Sequence, residues 1–184
     1  MIASELIEAG AATLRTERLR LRPLAAQDWP HWPDFYASDR SRFVAGPMGR
    51  QEAWFKLAQL IGHASMRGFG HWSVETLDGG TYLGRVGLEQ AEGWEYLELG
   101  WTLLESATGK CYATEAAAAV RAHAFANILP FAEAPDGICS LVHPDNAPSQ
   151  AVARRLGAAP DASLTPHFPE HEVWRHPLPA EAVS

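Results

Sequence analysis

The stretch Gly109-Lys110-Cys111-Tyr112-Ala113-Thr114-Glu115-Ala116 constrains this chain more than any other segment. It reads as a turn that opens onto an Ala-rich helix running to Asn127. Small side chains let such a helix lie close on a sheet. Its first turn has free backbone N–H groups and a positive dipole end, which together form an anion site. Further on, His143-Pro144-Asp145-Asn146-Ala147-Pro148-Ser149 carries a strand end into a second helix, and Leu156-Gly157 closes it with a glycine C-cap.

Strands and helices can be read around these two landmarks. From Thr16 to Leu24, Leu19 and Leu21 alternate with Arg18, Arg20 and Arg22, the period of a half-buried strand that Pro23 limits. Ala25 to Ala37 reads as a broken amphipathic helix with Pro30 and Pro33 near its start. Ser38 to Gly49 reads as a loop, and Arg50 to Met66 as a helix with Trp54, Leu57, Leu60 and Ile61 at helical spacing. His71 to Thr76 and Tyr82 to Glu89 flank Asp78-Gly79-Gly80, a hairpin signal. Glu95 to Leu104 alternates again, and Gly100 inside it marks a bulge or a close backbone approach. Gly137 to Val142 is an expected buried strand, Ala147 to Leu156 a short helix, and Val173 to His176 a last strand. This order predicts an α+β fold with a mixed, largely antiparallel sheet. The length of 184 residues fits one domain and can bury a core without staples.

Several function classes become unattractive. A formal net charge of −7 disfavours nucleic acid and mildly favours cationic partners. Cys111 and Cys139 lie on different elements and give no disulfide framework, which fits a reducing compartment. The N-terminus lacks a basic segment followed by an apolar run, and no run approaches the ~20 apolar residues of a membrane span. The expectation is a cytoplasmic protein with no membrane partner. His167 and His171 have the spacing of a zinc-binding helix, but Pro166 and Pro169 interrupt any helix there, so no metal site is expected. No Gly-x-Ser-x-Gly element supports a hydrolase.

Taken together, Thr108 to Ala116, the strand Glu98-Leu99-Gly100-Trp101-Thr102-Leu103 and the Asn146-x-x-Ser149…Leu156-Gly157 pattern resemble the acyl-CoA core of the GCN5-related N-acetyltransferase (GNAT) family, in its ribosomal-protein acetyltransferase branch. The resemblance runs over a single domain, 14–176, with 1–13 as an N-terminal extension and 177–184 as a C-terminal tail. It implies a sheet with one splayed pair of strands and flanking helices. It also implies a site for acetyl-CoA. Main-chain donors around Thr108, Gly109, Lys110, Cys111, Tyr112, Ala113 and Thr114 would grip the diphosphate, as a nest of successive N–H groups does. Thr102 and Leu103 would offer main-chain groups to the pantetheine arm, in the manner of an added strand. Asn146 would cap its helix and bond a pantetheine amide, with Ser149 on the same side.

The implied reaction moves an acetyl group from acetyl-CoA directly to a primary amine, either a protein N-terminus or a small-molecule amine. Glu98 is the candidate base, with Glu89 and Glu95 in reserve, and no metal is required. Ser149 or a water would protonate the leaving thiolate. Three departures from the family pattern stand out. Thr108 replaces the usual Arg or Gln. Cys111 replaces Gly, which is costly if the position needs positive φ. Ala153 occupies the slot where many members carry a Tyr acid. These departures keep two alternatives open: a non-catalytic acyl-CoA-binding module, and an eroded fold used for protein contacts. Family habit adds a homodimer as an option. Trp29, Trp32, Phe35, Tyr36, Trp54 and Trp72 either line the acceptor pocket or fill the core.

Overall fold

The structure is a computed structural model and describes residues 3–179. Parts of the expected extension and tail, residues 1–2 and 180–184, lie outside the described residues. Eight strands form one sheet in the order β1-β2-β3-β4-β5-β6-β8-β7: β1 Leu14–Arg15, β2 Leu19–Pro23, β3 His71–Thr76, β4 Tyr82–Glu89, β5 Leu97–Leu103, β6 Ile138–Val142, β7 Ala159–Pro160 and β8 Glu172–Arg175. The β5–β6 pair is parallel, and the other neighbours are antiparallel. The helices are α1 Ser4–Ala11, α2 Trp32–Ala37, α3 Arg50–Arg67, α4 Tyr112–Asn127 and α5 Ala147–Arg155.

The two faces of the sheet differ in chemistry. On one, α4 buries Ala116, Ala117, Val120 and Ala124 against Leu19, Leu21, Trp72, Val74, Val86, Leu97 and Leu99. Alanines at these positions let the helix axis approach the strands, so the Ala-rich run is a packing device. Helix α1, which has no counterpart in the sequence-based element order, adds Leu6 and Ala9 to this core. The other face carries α2 and α3, whose own cluster is Leu24, Trp32, Tyr36, Ala53, Leu57 and Leu60. Beneath them the strands present polar groups: Arg22 pairs with Asp28 at 2.5 Å and with Glu75 at 2.8 Å, and Ser73 donates to Asp28 at 2.6 Å.

Most expected elements form, with boundary shifts that have local causes. Ala25 to Ala37 divides into a 3-10 segment, Ala26–His31, and α2. Asp28 accepts from the Ala25 N–H at 2.9 Å at the start of that segment. The expected loop after α2 contains a 3-10 turn, Asp39–Phe43, closed by the Ser41 hydroxyl on Tyr36 O and Ser38 O. Neither the bulge nor the close backbone approach expected as alternatives at Gly100 is present: a Cβ there would meet only Glu98 Oε1, at 3.8 Å. Gly100 pairs in register with Gly87, and the irregularity falls between Val74 and Glu75. Trp72 is core and donates its indole N–H to Ala12 O at 2.7 Å, while Trp54 is half-exposed. Neither borders the two cavities of the cleft described below. Both cysteines are free.

Candidate active site

The sheet opens between β5 and β6. These strands pair only at Leu97–Ile138 and Glu98–Cys139. Immediately beyond, the Ser140 hydroxyl takes the Leu99 carbonyl at 2.6 Å and contacts His176 Nε2 at 2.9 Å. A side chain has replaced the strand ladder at this point, so Gly100 to Leu103 have β4 on one side and a gap on the other. Burial and Arg121 hold His176 at about 4, keeping the ring neutral as a hydrogen-bonding wedge.

Two cavities meet in the gap. One, of about 450 Å³, runs along the first turns of α4 and α5 and is lined by Thr102, Leu103, Thr108, Gly109, Cys111, Tyr112, Ala113, Thr114, Asn146 and Ser149. The other, of about 500 Å³, lies on the α2–α3 face and reaches Lys56, His71, Arg85, Glu89 and Glu98. Trp101, Thr102, Asn146 and Ser149 border both. The helix starts and the splayed strand thus bring together residues far apart in the chain.

At the α4 end the backbone is built for anions. Gly109 and Cys111 both have positive φ, +76° and +61°. The N–H groups of Gly109 through Thr114 find no acceptor among the described residues. Thr114 Oγ1 is buried without a partner. Arg40 and Arg155 line the same cavity and pair with no described carboxylate. A diphosphate-bearing ligand supplies what these groups lack, so the residues present fit a coenzyme A molecule. Cys111 is the expected strained position, a Cβ-bearing residue where glycine is at ease; the side chain is exposed and does not seal the notch. Two side chains point elsewhere. Thr108 Oγ1 donates to Glu105 O at 2.8 Å and Lys110 Nζ to Ser106 O at 3.0 Å, and Lys110, expected among the cofactor residues, is not on the cavity wall. Glu115 ties the start of α4 to the β1–β2 turn through Thr16 and Arg18.

At the junction, Asn146 Oδ1 accepts from the Ser149 N–H at 3.2 Å as the helix cap, and no described residue accepts from its Nδ2. The Trp101 indole N–H donates to Ser149 Oγ at 3.3 Å, which leaves the serine proton free to point into the gap. Ala153 is fully buried against Val142, Ala158 and Trp174.

Glu98 is half-buried on the wall of the second cavity. Burial pushes its carboxyl up to about 8; the Glu89 charge adds to this, and Lys56 and Arg85 oppose it. Glu89 goes the other way. Burial would raise it, but its contact with His71 and the charges of Lys56 and Arg85 outweigh burial and hold it at about 2. Two carboxylates on one wall therefore carry different protonation states near neutral pH. Glu95, the other reserve base, is exposed and borders neither cavity.

Of the residues singled out from sequence, Glu98, Thr102, Asn146, Ser149 and the 109–114 turn come together around the gap. Arg40, Arg42, Lys56, His71, Arg85 and Arg155 also line the cavities, and no local motif marked them. Phe35 is the one candidate aromatic on the first cavity's wall. His167 stacks on Trp94 at 4.1 Å, and His171 Nε2 meets Phe43 O at 3.4 Å, so the pair spans a loop and not a helix.

A splayed mixed sheet, a helix start whose N–H groups lack acceptors and a carboxylate across the gap form a cleft suited to acyl transfer. Residues 18–159 match the model of the acetyltransferase (GNAT) domain, and the chain belongs to that family of acyl-CoA-dependent N-acetyltransferases. An acetyltransferase from Agrobacterium tumefaciens is 36% identical, over 91% of this chain and 95% of that one, with a TM-score of 0.82. RimJ of Mycobacterium smegmatis, solved with CoA-disulfide, is 20% identical over 94% and 88% of the two chains, with a TM-score of 0.64. RimL, a ribosomal L7/L12 α-N-protein acetyltransferase solved with coenzyme A, is 15% identical over 89% and 95%, with a TM-score of 0.66. These last two share the fold. No curated protein matches the chain. Among the described residues, no helix is long and apolar enough to cross a membrane.

Proposed function

We propose that this acetyltransferase moves the acetyl group of acetyl-CoA to a primary amine by direct attack in a ternary complex. One observation carries the reading: the anion-binding turn and Glu98 open into two cavities that share Trp101, Thr102, Asn146 and Ser149. One cavity suits the cofactor, the other the amine, and the shared wall is where the reacting atoms meet.

The cofactor supplies an activated acetyl thioester. The main-chain donors of residues 109–114, with Arg40 and Arg155, hold its phosphates. Asn146 Nδ2 and the free edge of Thr102 and Leu103 orient the pantetheine arm. The Glu98 carboxylate first takes a proton from the ammonium, leaving a neutral amine whose lone pair attacks the thioester carbonyl; as the tetrahedral intermediate collapses the C–S bond breaks and the nitrogen gives its second proton to solvent. The elevated pKa of Glu98 is close to that of an α-amino group, so the first proton transfer runs nearly level. Ser149, held by Trp101, gives its proton to the departing sulfur and is restored from solvent. The acceptor is a protein N-terminus or a small-molecule amine. The domain proposed for this activity is 14–176.

Calorimetric titration with acetyl-CoA and CoA, paired with thiol release over a panel of peptides with free N-termini and small amines, tests the reading. The expected result is binding of both CoA forms and turnover on at least one amine class. Binding with no turnover on any amine would identify a CoA-binding module instead.

A further inference from the structure

The second cavity contains a polar device that acetyl transfer as described does not use. Glu89 and Glu98 are direct partners across the antiparallel β4–β5 pair, so their side chains leave the same face as close neighbours. Two like charges in that position repel unless something holds one of them. The structure contains such a holder. Arg85, two residues before Gly87 on the same face of β4, is buried; its Nη1 contacts His71 Nδ1 at 3.0 Å and its Nη2 donates to Tyr36 Oη at 3.2 Å. The other nitrogen of His71, Nε2, faces Glu89 Oε2 at 3.7 Å, a charge contact beyond hydrogen-bond reach, and makes no hydrogen bond, while the Gln59 side-chain amide donates to Glu89 Oε1 at 3.4 Å.

His71 can span Arg85 and Glu89 only because Gly87 lies between them. A Cβ at Gly87 would stand 2.3 Å from His71 Cα and 2.5 Å from its Cγ. The missing side chain is the seat of the imidazole ring. Since Arg85 can only donate, it fixes Nδ1 as the acceptor and leaves the proton on Nε2, directed at Glu89. The relay runs from guanidinium through a neutral ring to a carboxylate that opens on the cavity.

Resting on the transfer reading above, we propose that Glu89, held by Arg85 and His71, receives the acceptor's ammonium group and sets it against Glu98. Glu89 is the binding residue, and His71 and Arg85 position it. The acceptor class is then a primary amine that arrives protonated. Glu89 keeps its negative charge throughout, while Glu98 changes protonation. Glu98 is faced by Glu89 and Arg85 from β4, His71 from β3 and Lys56 from α3. Arg42, His143, Glu170 and His171 lie on the same cavity's walls.

The test compares Glu89→Gln, His71→Leu and His71→Gln with wild type, using spermidine, a seryl peptide and, as a neutral acceptor, an aromatic amine. Glu89→Gln should raise KM for the cationic amines at least tenfold while calorimetric acetyl-CoA affinity stays the same. It should leave KM for the aromatic amine within about twofold. The acid limb of its kcat/KM profile should move down by about one pH unit, because a negative neighbour of Glu98 is gone. His71→Leu should share these effects, and His71→Gln, which can still accept from Arg85 and donate to Glu89, should recover most of the loss. An unchanged KM and acid limb in Glu89→Gln, or equal losses for cationic and neutral amines, would overturn the proposal whether or not His71→Leu folds. Wild-type turnover with those outcomes rejects the anchor alone. Absence of wild-type turnover on all three amines rejects the transfer reading and the anchor with it.

Discussion

Replacing Glu98 with Gln separates catalysis from stability, because the carboxyl is worst placed when it is ionised. Its pKa rises from 4.5 to about 8 on folding. The folded state therefore holds the proton more tightly than the unfolded chain does. Below pH 4.5 both states are protonated and the site costs nothing. As pH rises toward 8 only the unfolded chain ionises, and stability falls; above 8 the full penalty is present. At 1.36 kcal/mol per pH unit the ceiling is about 5 kcal/mol. The carboxyl opens on a solvent-accessible cavity, which lowers the effective penalty to about 1–3 kcal/mol. Gln has the same shape and no proton to lose. Glu98→Gln should match wild type near pH 4.5 and exceed it at pH 8.5 by about 2–12 °C in Tm, given about 2–4 °C per kcal/mol for a domain of this size. Thermal unfolding followed by circular dichroism from pH 4.5 to 9 measures this directly. The same variant should lose about a hundredfold or more in kcat while acetyl-CoA binding persists. A stability difference that is absent or independent of pH would refute the environment assigned to Glu98.

Cys111→Gly should relax the left-handed turn, worth about 1–2 kcal/mol in the folded state and partly offset by about 0.4–1 kcal/mol of added unfolded-chain entropy; chemical denaturation should show a net gain of about 0–1.6 kcal/mol, with CoA affinity equal or better in calorimetry. Asn146→Ala removes both a helix cap and a free amide donor, so it should cost about 1 kcal/mol in denaturation and also weaken CoA binding; a stability loss with unchanged affinity would reduce Asn146 to a cap. Ser149→Ala should lower kcat with little change in either KM, and Trp101→Phe should do the same more mildly, as measured by thiol release. His71 and His176 are both buried with their pKa values lowered to about 4, so each binds its proton less well when folded; their contribution to Tm falls as pH drops from 6.5 toward 4, opposite in sign to that of Glu98, and His176→Gln should therefore raise Tm relative to wild type at pH 4.5 more than at pH 7.

Sequence alone determined the parts governed by local physics. Period-two alternation marked β2, with Leu19 and Leu21 on its buried face, and β5, because a half-buried strand must alternate, and the turn signal at Asp78-Gly79-Gly80 marked the β3–β4 hairpin. The turn at 109–113, the Ala-rich helix after it and the Asn146 cap were legible because helix ends need specific side chains and backbone angles. Even the strain at Cys111 could be stated as a condition before its φ was known. Helix α1 and β7 went unread because both are short and owe their existence to packing. The opening between β5 and β6 is a matter of which side chain, Ser140, intercepts which carbonyl, and no period in the sequence encodes that. The relay of Arg85, His71 and Glu89 needs three positions on two strands plus the vacancy above Gly87, and only strand pairing assembles them. The opposed pKa shifts of Glu89 and Glu98 likewise arise from burial and neighbouring charge, and tertiary structure alone sets both.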